Sequence, residues 1–312
     1  MQKTNLCKGE RDVMSLEGFS IYMRISLQNR LGVDFKVTVQ KVTKNNGVQL
    51  IGLQIQEERA NIAPVFYLEE YYCKYIKNPA CLEQLEVELL KTYVTDRKPV
   101  HFNSKDFLEW ESASKKIAYK LINYEQNMQL LEEVPHIQFL DLAIVFFYVV
   151  EEIESATVLI HNKHLDFWKT DTLDLYRVAK RNTPRIFPHI IKSIRGVMEE
   201  IMPGCSEKME VEQESLMFVL YNNIRVNGAV CMLYPNVLKD FANATGGDVY
   251  ILPSSTHEVI LIPAYGWNYG EKELAEMVGE VNVTEVSPEE ILSNHAYKYV
   301  RNLDKVMIIG ER

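Results

Sequence analysis

Residues 250–263 read YILPSSTHEVILIP. Two aliphatic runs, each closed by a proline, flank the polar block Ser254–Glu258. Short runs of Ile, Leu and Val bounded by turn residues are the pattern of a buried strand. Pro253-Ser254-Ser255-Thr256 supplies hydroxyls that satisfy main-chain groups in a turn. The stretch therefore predicts strand, turn, strand, an antiparallel hairpin in the core of the C-terminal half.

The same block holds His257-Glu258, the first half of a zinc-protease signature. That motif places two histidines four residues apart on one helix face. Here the fourth residue is Leu261, and on a strand His257 and Glu258 point to opposite faces. Ser255 and His257 share a strand face but sit about 6.5–7 Å apart along it, too far for a nucleophile–base hydrogen bond of about 3 Å. No G-x-S-x-G elbow occurs in the chain. The turn is the simpler reading. His257, with Ser255 or Glu258, remains the catalytic candidate of an alternative, a hydrolase-like enzyme.

Outward from the hairpin, LMFVLYN and GAVCMLY read as paired strands, Asn236–Ala244 as a helix closed by Gly246-Gly247, and Lys272–Val281 as another helix. Ser287-Pro288-Glu289-Glu290 has the form of a capping box, and Ala296–Val300 reads as a strand. Upstream, residues 136–161 hold two or three apolar strands, with a turn at Glu151–Ser155. Helices are expected from Thr172 to Arg181 and from His189 to Met202. Ile117–Asn123 reads as a strand after a helix near Asp106–Ser114.

At the N-terminus Ser15 caps a helix carrying Leu16, Phe19, Met23 and Leu27. A period of two begins at Phe35, Asn46-Gly47 turns the chain, and Gly52 is expected to mark a bulge. Leu82, Leu85, Leu89 and Tyr93 share one helix face. The fold class is α+β. A small N-terminal helix–hairpin–helix domain spans 1–100. A larger mixed region with antiparallel strand pairs and flanking helices spans 101–312, with a sub-boundary possible near 203–215.

Residues 1–120 carry 18 Lys/Arg against 15 Asp/Glu, and residues 121–312 carry 16 against 28, within a net charge of -9. An acidic body disfavours general binding to nucleic acid or anionic membranes. The five cysteines, Cys7, Cys73, Cys81, Cys205 and Cys231, are scattered, as expected of reduced thiols in a cytoplasmic protein. The longest apolar run, Leu142–Val150, is far short of the roughly 20 residues of a membrane helix, and the N-terminus has no apolar signal core. No membrane partner is expected.

Inside the acidic half, RVAKRNTPRIFPHIIKSIR (177–195) holds Arg177, Lys180, Arg181, Arg185, Lys192 and Arg195 and no carboxylate. Read functionally it is an anion site, with Phe187 available for stacking. Read structurally it pairs with the acidic stretch that follows (Glu199, Glu200, Glu207, Glu210, Glu212, Glu214). The loop Tyr265-Gly266-Trp267-Asn268-Tyr269-Gly270 offers three aromatics that would form a binding loop if exposed and a lid on the core if not. His161-x-x-His164 is two imidazoles, one short of the usual catalytic zinc set, and reads as a polar turn. No Walker loop, dinucleotide fingerprint or EF-hand is present, and no metal or cofactor is expected.

Several of these segments together resemble a bacterial family of uncharacterised proteins, domain of unknown function 5688. The resemblance is carried by Lys44-Asn45-Asn46-Gly47-Val48, Asn61-Ile62-Ala63-Pro64 with Tyr67-Leu68, and Leu233-Tyr234-Pro235. It continues in Tyr250–Ser255 with His257–Ile260, in Val281-Asn282 with Thr284-Glu285-Val286, and in Pro288–Ser293. The resemblance implies no catalytic residues. Association of such proteins with mobile elements implies a host- or defence-directed binding role. The leading expectation is a non-enzymatic interaction module that binds a protein or anionic partner through the basic segment and the aromatic loop. Nucleic acid is a secondary partner, through the basic segment alone. A further alternative is an acidic inhibitor of a nucleic-acid-handling machine.

Overall fold

In the computed structural model, residues 13–58, 63–96, 104–150, 157–202, 216–265 and 270–310 are described. The chain divides into two compact units, one of Met1–Lys44 with Val48–Phe102 and one of Asn45–Gly47 with Asn103–Arg312.

The first unit begins with α1 (Leu16–Leu31), where the Ser15 hydroxyl accepts the Gly18 N–H at 3.1 Å. Spacing of three and four puts Phe19, Met23 and Leu27 on one face, and all three are buried. The strands β1 (Phe35–Thr43) and β2 (Gln49–Glu57) pair antiparallel, with Asn46 and Gly47 at positive φ in the turn between them. A third strand, β3 (Val65–Tyr67), joins β2 on its other edge. Pairing runs unbroken through Gln40↔Gly52, so Gly52 is not the expected bulge. It is glycine because a Cβ would lie 2.7 Å from Val65 Cγ1 and 2.9 Å from Val42 Cγ2. The helices α2 (Leu68–Lys77) and α3 (Leu82–Asp96) complete the core, with Leu85, Leu89 and Tyr93 packed around Phe19 and Leu53. Among the described residues of this unit, one charged side chain is buried. Glu86, 1% exposed, meets Arg30 Nε at 2.8 Å and accepts the Tyr22 hydroxyl at 2.8 Å.

The second unit opens with two short helices, α4 (Ser104–Leu108) and α5 (Trp110–Ala113), and a 3-10 turn at Ser114–Lys116. Next come β4 (Ile117–Asn123), α6 (Met128–Glu133), β5 (His136–Phe139), β6 (Leu142–Val149) and β7 (Thr157–Leu159). β6 is buried along almost its whole length, on both faces, and is paired with β4 on one edge and with β5 and β7 on the other. That is why its sequence is apolar without alternation.

The chain then forms α7 (Asn162–Trp168) and α8 (Thr172–Ile186). The region expected as one helix over 189–202 is instead a strand, β8 (His189–Ser193), followed by α9 (Ile194–Ile201). Pro188 and the β-branched Ile190-Ile191 favour extension, and Ser193 then caps α9 by accepting the Gly196 N–H. The strand β9 (Phe218–Asn222) pairs with β8. The segment GAVCMLY is not its partner strand; Gly228–Leu233 is a 3-10 helix. A Cβ on Gly228 would collide with the His257 carbonyl and lie 2.8 Å from the Asn222 nitrogen.

After α10 (Val237–Thr245), ended by Gly246 at φ 85°, come β10 (Val249–Pro253) and β11 (Val259–Pro263). Their register, Val249↔Pro263 to Pro253↔Val259, is the hairpin expected from the opening stretch. α11 (Glu271–Thr284) follows. Pro288–Glu290 is a single 3-10 turn in which the Ser287 side chain makes no capping bond. Two antiparallel strands, β12 (Ala296–Val300) and β13 (Lys305–Ile309), close the chain, the second turned in by Asp304 at φ 50°. The larger sheet has the order β13-β12-β10-β11-β9-β8, and every strand pairing in the protein's described residues is antiparallel. The class is α+β, as expected. The sub-boundary expected near 203–215 lies outside the described residues.

Candidate functional site

Amphipathic α8 positions most of the basic segment. Leu175, Ala179, Asn182 and Thr183 are buried, while Arg177, Lys180, Arg181 and Arg185 are exposed. Arg177, Arg181 and Arg185 recur every four residues and so form one stripe. Buried Asn182 fixes what lies beside that stripe. Its Nδ2 donates to the carbonyls of Ser114 at 2.7 Å and Ile117 at 3.0 Å, holding the turn that carries Lys115 and Lys116 against α8. Arg185 Nη2 lies 3.4 Å from the Lys115 carbonyl. Lys115, Lys116 and Arg185 line an open cleft together with Ser112 and Asp106. Among the described residues that line it, three cations accompany one carboxylate.

The pairing expected with the following acidic stretch holds only in part. Lys192 and Arg225 both bind Glu200, the latter at 3.1 Å. Hydrogen bonding to Lys192 lowers the Glu200 pKa, and the same bond raises that of the lysine. Arg177 pairs with Asp174 on its own helix, and Lys180 sits 5.8 Å over the Tyr176 ring. Arg195 is also engaged. Arg181 has no ion pair with any described residue. Glu207, Glu210, Glu212 and Glu214 lie outside the described residues. Phe187, expected to be free for stacking, packs on Phe147 with ring centroids 6.1 Å apart. In the aromatic loop Tyr265 is 84% exposed, and Trp267 and Tyr269 lie outside the described residues.

The catalytic candidates do not come together as a triad. Ser255 Oγ accepts the backbone N–H of His257 at 3.0 Å, a turn bond rather than a contact with the ring. The ring accepts the Asn227 N–H at Nδ1, 3.1 Å, which leaves Nε2 as the protonated nitrogen, 3.3 Å from the Glu290 carboxylate. Both ring nitrogens are therefore spent inside the fold. Glu258 lies 3.5 Å from the Ser254 hydroxyl. His161 and His164 instead form a reciprocal capping box at the start of α7, where His164 Nδ1 accepts the His161 N–H at 3.0 Å. Burial, and secondarily His161, lowers the His164 pKa. No group of three His, Cys, Asp or Glu among the described residues could hold a metal ion.

One polar cluster was not anticipated. Asp141, in the turn between β5 and β6, accepts Ser293 Oγ–H at 2.6 Å, His295 Nδ1–H at 3.0 Å and Tyr297 O–H at 2.7 Å. Burial and the Asp141 charge push the Tyr297 pKa well up. Ser293, His295 and Tyr297 alternate into β12, a period-two signal present in the sequence. Their shared acceptor, 152 to 156 residues away, is not locally legible. The residue types are those of a hydrolase triad, but the serine donates to the carboxylate instead of the imidazole, and it is 0% exposed. The cluster fastens the β5–β6 turn to the start of β12.

No helix among the described residues is long and apolar enough to cross a membrane. No curated protein and no solved structure is detectably similar to the chain. The model of one family, described as a family of unknown function (DUF5688), matches residues 16–301, and the chain belongs to that family.

Proposed function

We propose that the protein is a non-enzymatic binding module that recognises an anionic partner through the α8 stripe and the adjoining Lys115–Lys116 turn. The observation that carries this reading is the cleft whose described lining residues set Lys115, Lys116 and Arg185 against one carboxylate, Asp106. It continues along an exposed helix face through Arg181 and Arg177. Planar guanidiniums spaced along a helix suit carboxylate or phosphate groups displayed on a surface. The preferred partner is an acidic or phosphorylated protein. A nucleic acid ranks second, because its backbone would meet the net charge of -9 carried by the whole chain.

Catalysis by His257 is the weaker alternative, since Asn227 and Glu290 already occupy its ring nitrogens. The test is affinity capture from cells of the source organism, using the wild-type chain and the Arg181→Glu/Arg185→Glu variant side by side. The reading predicts a partner held by the first and released by the second. An unchanged set of captured partners rejects it.

A further inference from the structure

The sheet of the first unit has the order β1-β2-β3, so β1 is an edge strand, nine residues long. Its ladder with β2 continues past both ends, where the Glu58 N–H donates to the Asp34 carbonyl and the Lys44 N–H to the Val48 carbonyl. In the register of the pair, Asp34 and Lys44 are even positions. Even residues of β1 therefore bond to β2, and the N–H and C=O of odd residues point away from it.

The first of these outward groups are already in use. Gln28 of α1 donates from Nε2 to the Phe35 carbonyl and accepts the Val37 N–H at Oε1, both at 2.9 Å. Its side-chain amide does there what the main chain of a neighbouring strand would do. Beyond it, the Val37 carbonyl and both main-chain groups of Val39 and Lys41 have no protein partner among the described residues. An open row of this kind is a template for one more strand.

Charge selects the strand. Lys36 and Lys41 are exposed and Arg24 is half-buried, and none of the three has an ion pair with any described residue. Arg24 lies one turn before Gln28 on the same side of α1. The three-residue link Gly32–Asp34 makes α1 and β1 run in opposite directions, so Arg24 is placed beside the stretch that Gln28 leaves open.

We propose that the β1 edge is a docking site for an extended acidic segment of a partner protein, which adds as a strand along Val37–Lys41 and sets its carboxylates against Lys36, Lys41 and Arg24. Main-chain bonds supply the affinity and the cations supply the selection. A second copy of β1 is disfavoured as the occupant, because edge lysines would then meet one another. The site is separate from the α8 stripe, which belongs to the second unit.

NMR titration of the isotope-labelled full chain tests this with two capped seven-residue peptides, one alternating Glu with Val and one alternating Lys with Val. The acidic peptide should saturate one site with a dissociation constant on the order of 100 μM. It should shift the Val39 and Lys41 amides and bind at least about tenfold more tightly than the basic peptide. Lys41→Glu reverses one charge, keeps the ladder groups, and should weaken the acidic peptide about fivefold. Lys41→Pro removes an outward N–H at a position where an edge strand tolerates proline, and should abolish binding. A wild-type chain that binds the acidic peptide no better than the basic one overturns the proposal, as do saturable shifts confined to residues outside β1. Dimerisation of the peptide-free chain that Lys41→Pro abolishes, read by ultracentrifugation, overturns it too, since a second copy would then occupy the edge.

Discussion

The side-chain amide of Asn182 donates to the carbonyl of Ser114 at 2.7 Å, from a position 4% exposed on α8. That bond, with its companion to Ile117, ties the turn carrying Lys115 and Lys116 to the helix that carries Arg185. A buried polar residue with no charge of its own thereby sets the spacing of the cations around the cleft. Asn182→Leu would leave two carbonyls unpaired and should destabilise the second unit by about 2 kcal/mol. Chemical denaturation of the two proteins measures this, and equal midpoints would remove Asn182 from the account.

The ion pair of the first unit should respond asymmetrically. Arg30→Ala strands the Glu86 carboxylate at 1% exposure with only Tyr22 for company, and should cost about 3 kcal/mol. Glu86→Gln keeps a hydrogen-bonding group there and frees a half-exposed arginine to water, so a loss of about 1 kcal/mol is expected. Urea unfolding gives both values, and the reverse ranking would contradict the reading of Glu86 as the buried partner.

Gly228 is a close-approach glycine rather than a flexible one. Gly228→Ala must displace backbone at His257 and Asn222, and should cost about 3 kcal/mol or prevent folding. A thermal melt within a degree or two of wild type would show that the contact relaxes freely.

His164 gives the fold a pH dependence of definite sign. Burial holds its pKa below the usual histidine value, so the unfolded chain binds the proton more readily than the folded one. Its contribution to stability is present above the unfolded value of about 6.5 and is lost as pH falls towards the lowered folded value. Protonation at Nδ1 would also break the bond it accepts from His161. Stability measured from pH 7.5 to 5 should fall with a smaller slope in His164→Asn than in wild type, and equal slopes would exclude this histidine as a source.

Much of the fold was legible wherever local pattern and tertiary role agree. The α1 stripe, the β10–β11 hairpin and the β4 limits follow from periodicity and turn chemistry alone. The failures share a cause in contacts distant along the chain. Residues 228–233 are as apolar as a strand, yet the approach of Gly228 to the His257 carbonyl makes them a 3-10 helix. His189–Ser193 extends because β9 offers it an edge. Around the site, the charges of 177–195 could be read directly, whereas Lys115 and Lys116 could not be joined to them without Asn182. Asp141 stayed hidden for the same reason, its three donors lying at least 152 residues away.

Calorimetric titration of the captured partner across a salt series tests the proposed electrostatic recognition by the α8 stripe. For the wild-type chain, affinity should fall steadily as salt rises. In Arg181→Glu/Arg185→Glu it should drop at least about tenfold at low salt, with a flatter salt dependence. Equal affinity and equal salt dependence in the two proteins would rule out recognition through the stripe.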